Sequence, residues 1–204
     1  MTRLADADTH VGIARPATIA LIALGANLTS RTGAPDATLR QALADLAAGP
    51  GISLRAVSRF WRTPAHPAGS GPDYINAAAA LATDLTPQAL LAVLHRIEAD
   101  LGRVRTSLRW QSRGIDLDLL AVGDLVAPDP ATQDQWRLLP PDQQAADAPP
   151  SLILPHPRLQ DRGFVLVPLA DIAPAWVHPL TGQSTRQMLA ALDPDQIADI
   201  VADA

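Results

Sequence analysis

ATIALIALGAN, residues 17–27, is the stretch that decides the fold class. It opens with a continuous apolar run, which is typical of a strand buried on both faces. The glycine and asparagine at its end predict a turn, and no GxGxxG motif follows, which argues against a dinucleotide-binding fold. Strand and helix patterns then mix without a regular βαβ rhythm. We therefore predict an α+β fold with a mainly antiparallel sheet and helices packed on it.

The rest of the chain carries further helix and strand patterns. Apolar residues at helical spacing predict helices over 35–47, 87–101, 164–172, 184–192 and 194–201. Extended patterns predict strands within 52–63, 74–83 and 114–123.

The domain organisation follows from where these patterns start and stop. Residues 1–16 are predicted to be a loose tail, and residues 17–204 a single domain. The proline-rich stretch at about 128–150 lacks periodicity apart from Trp136. We therefore expect a surface insertion that is dispensable for any chemical step.

The composition excludes several classes of function. Hydrophobic residues make up 48% of the 204 residues and charged residues 18%, the balance of a globular chain. A net charge of −5 argues against a nucleic-acid partner. Lysine and cysteine are both absent, which excludes a P-loop, disulfides, thiolate nucleophiles and Cys-ligated metals. No apolar stretch approaches about 20 residues, so no membrane partner is expected. We expect a cytoplasmic protein that works as a monomer.

Asp116 and Asp118 are the sharpest chemical feature of the sequence, because they alternate with Ile115, Leu117 and Leu119. The two-residue period of a strand places both carboxylates on one face and the apolar side chains on the other. Such a pair can bind two hard cations of the kind that assist phosphoryl transfer. A solvated polar face on an edge strand is the alternative that the pair alone leaves open.

Four arginines precede this pair in a chain that is otherwise acidic, namely Arg103, Arg105, Arg109 and Arg113. Guanidinium groups form bidentate hydrogen bonds to phosphate oxygens, so arginines and metals could share one polyphosphate ligand. The alternative is that the arginines pair with Asp116, Asp118 and surface carboxylates. Trp110 lies inside the cluster, and a large ring on a polar loop is exposed to water unless it stacks on a flat group, for which a planar heterocycle is one candidate.

Seven ordered segments of the sequence match the motifs of one known family. They are IALGAN at 22–27, VSRFWRTP at 57–64, DYINA at 73–77, RIE at 96–98 with GRVR at 102–105, RW at 109–110, RGIDLDL at 113–119 and LPHPRLQDRGF at 154–164. On these motifs the chain resembles the 6-hydroxymethyl-7,8-dihydropterin pyrophosphokinase (HPPK) family. The resemblance implies a ferredoxin-like α+β fold and transfer of the β,γ-diphosphate of ATP to the hydroxymethyl group of the pterin. AMP is then the leaving product, and the reaction belongs to folate biosynthesis.

The resemblance also implies roles for individual residues. For catalysis it points to two Mg²⁺ ions on Asp116 and Asp118, with Arg103 and Arg113 neutralising the transferring group. For the co-substrate ATP it points to Glu98, Arg105, Arg109, His156 and Arg162. For the pterin it points to Thr63, Tyr74, Asn76, Trp110 and Phe164.

Other interpretations stay open for the sequence alone. Glu98 lies opposite the leucine stripe of its predicted helix and could be solvated. Asn76 could be a buried amide satisfied by backbone, and Tyr74 and Phe164 could be core rings. At the level of function, the alternatives are a two-metal nucleotidyltransferase, which would release pyrophosphate, and a noncatalytic nucleotide- or pterin-binding module.

Overall fold

A six-stranded sheet runs through the part of the chain that the computed structural model describes, residues 16–65, 71–103, 114–140, 143 and 149–203. Its strands are β1 (Thr18–Ala26), β2 (Ile52–Val57), β3 (Trp61–Thr63), β4 (Tyr74–Thr83), β5 (Asp116–Val122) and β6 (Val201–Ala202). β1 lies between β4 and β5, β4 pairs also with β2 and β3, and β6 extends the sheet from β3. Every pairing is antiparallel, which confirms the predicted ferredoxin-like α+β class.

Helices cover both faces of the sheet. They are α1 (Pro35–Ala48), α2 (Pro87–Asp100), α3 (Pro130–Arg137), α4 (Gly163–Ile172) and α5 (Thr185–Ala191), with short 3₁₀ turns at Leu159–Asp161 and Pro194–Gln196. α1 and α2 pack with Ile22 and Leu24 of β1 on one face, whereas α4 and α5 pack with Leu21 on the other. Successive strand residues point to opposite faces, so this double cover explains why the sequence of β1 is apolar throughout. None of these helices, within the described ranges, is long and apolar enough to cross a bilayer.

Alanines in β4 allow the two helical layers to approach the sheet closely. Ala77 and Ala79 are buried in the core under α1 and α2, and Ala78 and Ala80 are buried in the core under α4 and α5. A chain with 3% aromatic residues has few large rings to fill wide gaps. Short side chains at the centre of the sheet therefore bring the helices near enough to pack.

Two expectations about local structure are wrong. In the stretch 128–150, whose lack of periodicity predicted no helix, residues 130–137 form α3. Its first turn is capped by Asp129, which accepts from the N–H of Thr132 at 2.9 Å. An aspartate before Pro130 is a helix-start signal, but α3 has no apolar stripe to reveal it. Residues 141–142 and 144–148 of the insertion lie outside the described residues, as does the tail over 1–15.

The helix expected over 194–201 is replaced by a 3₁₀ turn and strand β6. Ala202 pairs with Trp61, and the N–H of Asp203 donates to the carbonyl of Phe60 at 2.8 Å. The carboxylate of Asp203 also accepts from the guanidinium of Arg62 at 2.5 Å. These long-range contacts with β3 override the local helical pattern.

Substitution Ala78→Leu should destabilise the fold by about 1–3 kcal/mol, the usual cost of overpacking a filled core. Ala78 is fully buried between β4 and the α4 layer, so the added carbons have no space. The matched control is Ala44→Leu on the exposed side of α1, which should change stability by less than about 0.5 kcal/mol. Urea unfolding of both variants measures the difference, and equal stabilities would contradict the close packing.

His178 should make the fold sensitive to acid. It is 0% exposed, and its Nδ1 accepts the N–H of Leu180 at 3.2 Å. Burial, reinforced by the charge of Arg137, lowers the pKa of His178 from its ordinary 6.5 to about 4. Between these two pKa values, the imidazole of the unfolded chain binds a proton that the imidazole of the folded chain does not. The free energy of unfolding therefore decreases as pH falls below about 6.5.

Urea unfolding between pH 7 and pH 4, together with an NMR titration of the imidazole, checks this expectation. The His178→Asn variant should take up about one proton fewer on unfolding near pH 5. An imidazole that titrates near its ordinary value in the folded protein would contradict the prediction.

Candidate active site

Three adjacent strands place Asp116, Gly25 and Asn76 side by side. Gly25 of β1 pairs with Asp116 of β5 on one side and with Asn76 of β4 on the other. Directly paired residues of antiparallel strands point to the same face, so a carboxylate and an amide flank the space above the glycine. A Cβ at Gly25 would lie 2.8 Å from Oδ1 of Asn76. A residue larger than glycine therefore cannot occupy this position without moving the amide.

The start of α4 lies beside this face. Asp118, two residues after Asp116, pairs with Ala23 of β1, and its Oδ2 lies 3.9 Å from a terminal nitrogen of Arg162. The guanidinium carbon of Arg162 lies 5.5 Å from the ring centroid of Phe164. The side chain of Phe164 is 41% exposed, so the interpretation as a core ring is wrong for this residue. Two carboxylates, a cation and an aromatic ring thus meet where the helical layer begins.

Glu98 connects α2 to this group of residues. Its Oε1 accepts the N–H of Leu117 at 2.8 Å and a hydrogen bond from Arg103. Arg103 also donates to Oδ1 of Asp116 at 2.5 Å. Burial opposes the charge of Arg103, but Asp116 and Glu98 outweigh it and raise the pKa of the guanidinium. Glu98 is 1% exposed, so the solvated alternative is wrong, and the nucleotide-binding role implied for it stays a prediction.

His156 lies against the outer edge of β5. Its backbone N–H donates to the carbonyl of Leu120 at 2.8 Å, and its ring Nδ1 accepts the backbone N–H of Arg158 at 3.1 Å. Burial, together with the charges of Arg162 and Arg158, lowers the pKa of His156 to about 3. The imidazole is therefore neutral at pH 7. Because Nδ1 is an acceptor, the proton is assigned to Nε2, which makes Nε2–H the donor of the ring.

Three of the residues implied for the pterin, Thr63, Tyr74 and Asn76, lie on β3 and β4. Nδ2 of Asn76 donates to Oγ1 of Thr63 at 2.7 Å, and both side chains are buried. The amide is therefore held by a side-chain hydroxyl. This bond fixes the orientation of the amide, so Oδ1 is the atom beside Gly25. Tyr74 is half-buried at the start of β4, two residues before Asn76 on the same face.

Four residues implied by the resemblance lie outside the described residues, namely Arg105, Arg109, Trp110 and Arg113. Their roles stay predictions. Two other residues have structural roles that were not predicted from the sequence. Gly25 appears in a matched motif, but only the strand register shows that it separates Asp116 from Asn76. Gln133 of α3 is fully buried and donates to the carbonyl of Pro155 at 3.1 Å, and no periodicity signals it.

Comparison with known proteins gives a consistent result. A family model described as 7,8-dihydro-6-hydroxymethylpterin-pyrophosphokinase (HPPK) matches residues 21–174. A curated 2-amino-4-hydroxy-6-hydroxymethyldihydropteridine pyrophosphokinase of Methylorubrum extorquens is 40% identical over 88% of this chain and 97% of its own. One of the same description from Pseudomonas aeruginosa is 37% identical over 83% of this chain and 89% of its own.

Solved structures agree at the level of fold. The Plasmodium falciparum HPPK-DHPS A437G structure with pteroate superposes with a TM-score of 0.60 at 13% identity. The match covers 90% of this chain and 44% of that one, so the chain spans less than half the length of that protein. The likeness supports the arrangement of strands and helices described above.

Gly25→Ala should displace the Asn76 amide from Thr63, because the new methyl would lie 2.8 Å from Oδ1. The side-chain amide resonances of Asn76 in an ¹⁵N NMR spectrum report this displacement directly. The control is Gly114→Ala, whose Cβ would meet its nearest neighbour, Ser30 Cβ, at an ordinary 3.8 Å. Unchanged Asn76 resonances in Gly25→Ala would contradict the steric argument.

Proposed function

The chain belongs to the 7,8-dihydro-6-hydroxymethylpterin-pyrophosphokinase family, and from this premise we propose how its residues divide the work of the reaction. The protein is an ATP-dependent pyrophosphokinase of folate biosynthesis, which transfers diphosphate to hydroxymethyldihydropterin and releases AMP. The family assignment favours this activity over the nucleotidyltransferase and the noncatalytic module. The polar face around Asp116, Asp118 and Arg162 is the proposed site of transfer.

One observation carries the assignment of this site. In a chain with a net charge of −5, cationic side chains are gathered around the two aspartates: Arg103 contacts Asp116, and Arg162 approaches Asp118. Phosphoryl transfer requires little covalent chemistry from the protein, and it is accelerated mainly by positioning and by stabilising negative charge on the phosphate oxygens. Opposite charges on one half-exposed face suit a polyphosphate. The arginines would contact its oxygens, and the carboxylates would hold the metal ions that accompany it.

Asp116 and Asp118 fit a magnesium site. Within the described residues, no three His, Cys, Asp or Glu side chains come together to hold a metal. Mg²⁺ often takes one or two carboxylates and fills its other positions with water and substrate phosphates, so a complete protein cage is not required. We propose that the two aspartates hold two Mg²⁺ ions with ATP. Bound there, the ions would neutralise charge on the phosphate oxygens.

His156 and Arg162 are suited to binding the ATP phosphates. The neutral imidazole offers Nε2–H as a donor without adding charge. Arg162 adds a permanent positive charge with several N–H donors, at the start of α4. We propose that the two residues together fix the phosphates against the metal-binding aspartates. Arg103 would then contribute a further positive charge next to Asp116.

The pterin fits the space over Gly25. Oδ1 of Asn76 is an acceptor at this space because its Nδ2 already donates to Thr63. The amino-pyrimidinone edge of a pterin presents N–H donors, which an amide oxygen can accept. The exposed ring of Phe164 and the half-buried ring of Tyr74 provide flat surfaces for the heterocycle. A cytosolic location, as expected from the lack of cysteine, completes the proposal.

Asp118→Asn should reduce turnover by about 100-fold or more, the scale seen when an electrostatic contact to a transition state is removed. The side chain is 37% exposed, so the fold should be unaffected. The assay measures AMP release from ATP that depends on added 6-hydroxymethyl-7,8-dihydropterin and Mg²⁺. Asp124→Asn, at an exposed aspartate in the turn after β5, is the matched control and should retain full activity.

Two outcomes of this assay would contradict the proposal. Release of pyrophosphate in place of AMP by the unmodified protein would point to a nucleotidyltransferase. Near-normal turnover of Asp118→Asn at saturating Mg²⁺ would remove Asp118 from the metal site.

A further inference from the structure

The insertion after β5 is anchored beside His156 by one buried side chain. Ala127 and Leu154 exchange two backbone hydrogen bonds, at 2.8 and 3.0 Å, and so close the base of the insertion. α3 lies just inside this base. Of the residues of α3, all of which the structure describes, Gln133 alone is buried, with 0% of its surface exposed. A helix of 8 residues is too short to be stable in isolation, so its position depends on such contacts.

The peptide unit between Pro155 and His156 is hydrogen-bonded by Gln133 at its carbonyl and by β5 at its N–H. A side-chain amide is costly to bury unless it is hydrogen-bonded, and Nε2 of Gln133 donates to the carbonyl of Pro155 at 3.1 Å. The N–H of the same peptide unit belongs to His156 and donates to the carbonyl of Leu120 at 2.8 Å. The plane of this peptide is therefore fixed between α3 and β5.

The orientation of the His156 imidazole depends on this peptide plane. Its Nδ1 accepts the N–H of Arg158, two residues further along the same turn. The ring is thus fixed by a hydrogen bond within its own turn. The position of that turn is fixed in turn by the peptide that is hydrogen-bonded to Gln133 and Leu120. Rotation of the peptide plane would move Nε2–H, the donor assigned to the ATP phosphates.

We propose that Gln133 is a positioning residue for nucleotide binding, which sets the direction of the His156 donor by clamping the Pro155–His156 peptide. This inference rests on the proposed role of His156 in ATP binding. It changes the expectation for the insertion. Shortening the segment after α3 should be tolerated, whereas removal of Gln133 should weaken ATP binding.

Gln133→Leu tests the proposal, because it keeps a side chain of similar size but removes the donor. We expect the Kd for a non-hydrolysable ATP analogue with Mg²⁺ to rise about tenfold, the change that loss of about one well-placed hydrogen bond produces. Pterin affinity should stay unchanged. Gln135→Ala, at an exposed glutamine of the same helix, is the matched control and should bind ATP normally.

A double-mutant cycle separates positioning from a general structural effect. In the His156→Ala background, Gln133→Leu should add less than about a twofold further loss of ATP affinity, because the donor it orients is gone. The same tenfold loss in both backgrounds, or an equal loss of pterin affinity, would overturn the proposal. Should Gln133→Leu fail to fold, Gln133→Asn, which keeps a shorter amide, is measured in the same cycle.

A third measurement distinguishes failure of this inference from failure of the proposed function. Hydrogen exchange of the His156 backbone N–H needs no ligand, and it should be faster in Gln133→Leu than in Gln135→Ala. If the unmodified protein released no pterin-dependent AMP, the proposed function would fail while this exchange still tested the clamp. Equal exchange rates in the two variants would overturn the clamp itself.

Discussion

The buried carboxylate of Glu98 aligns three parts of the molecule with one another. It projects from α2, accepts the N–H of Leu117 in β5, and accepts a hydrogen bond from Arg103 just after α2. Burying a carboxylate costs several kcal/mol unless it is paired and hydrogen-bonded, so α2, β5 and Arg103 must reach their positions together. Arg103 then contacts Asp116. The placement of Asp116, one of the two aspartates proposed to hold Mg²⁺, therefore depends on Glu98, a residue that is itself buried.

The extent of the helical cover determines where on the sheet a site can exist. α4 and α5 bury Leu21, Ala78 and Ala80, so that part of the face is closed and apolar. Beyond the start of α4 the same face carries Asp116 and Asn76, separated by Gly25. The strand period keeps their side chains on this face, and the missing side chain at Gly25 leaves room between them. Along the strands, one part of this sheet face is therefore apolar and covered by helices, and the other part carries the polar side chains.

The sequence was informative where a local pattern matched the tertiary environment. The DLD alternation correctly predicted that Asp116 and Asp118 share a face away from Leu117, because one side of β5 is core there. Glu98 was ambiguous, since a polar residue opposite a leucine stripe looks the same whether it meets water or Arg103. Gln133 carries no periodic signal, and the pattern over 194–201 that leads into β6 is helical and therefore misleading. Their positions come from single long-range hydrogen bonds and strand pairing, which a local pattern does not encode.

A neutral histidine among arginines has a chemical consequence for the proposed phosphate site. Arg158 and Arg162 make a second positive charge on His156 unfavourable, and burial acts in the same direction. With a pKa of about 3, the ring presents the same Nε2–H donor at every pH near neutrality. A histidine with an ordinary pKa would gain and lose a charge over the same range. In the proposed phosphate site, positive charge would therefore come from arginines, whose protonation does not change, and a directional donor would come from a ring whose orientation the fold holds.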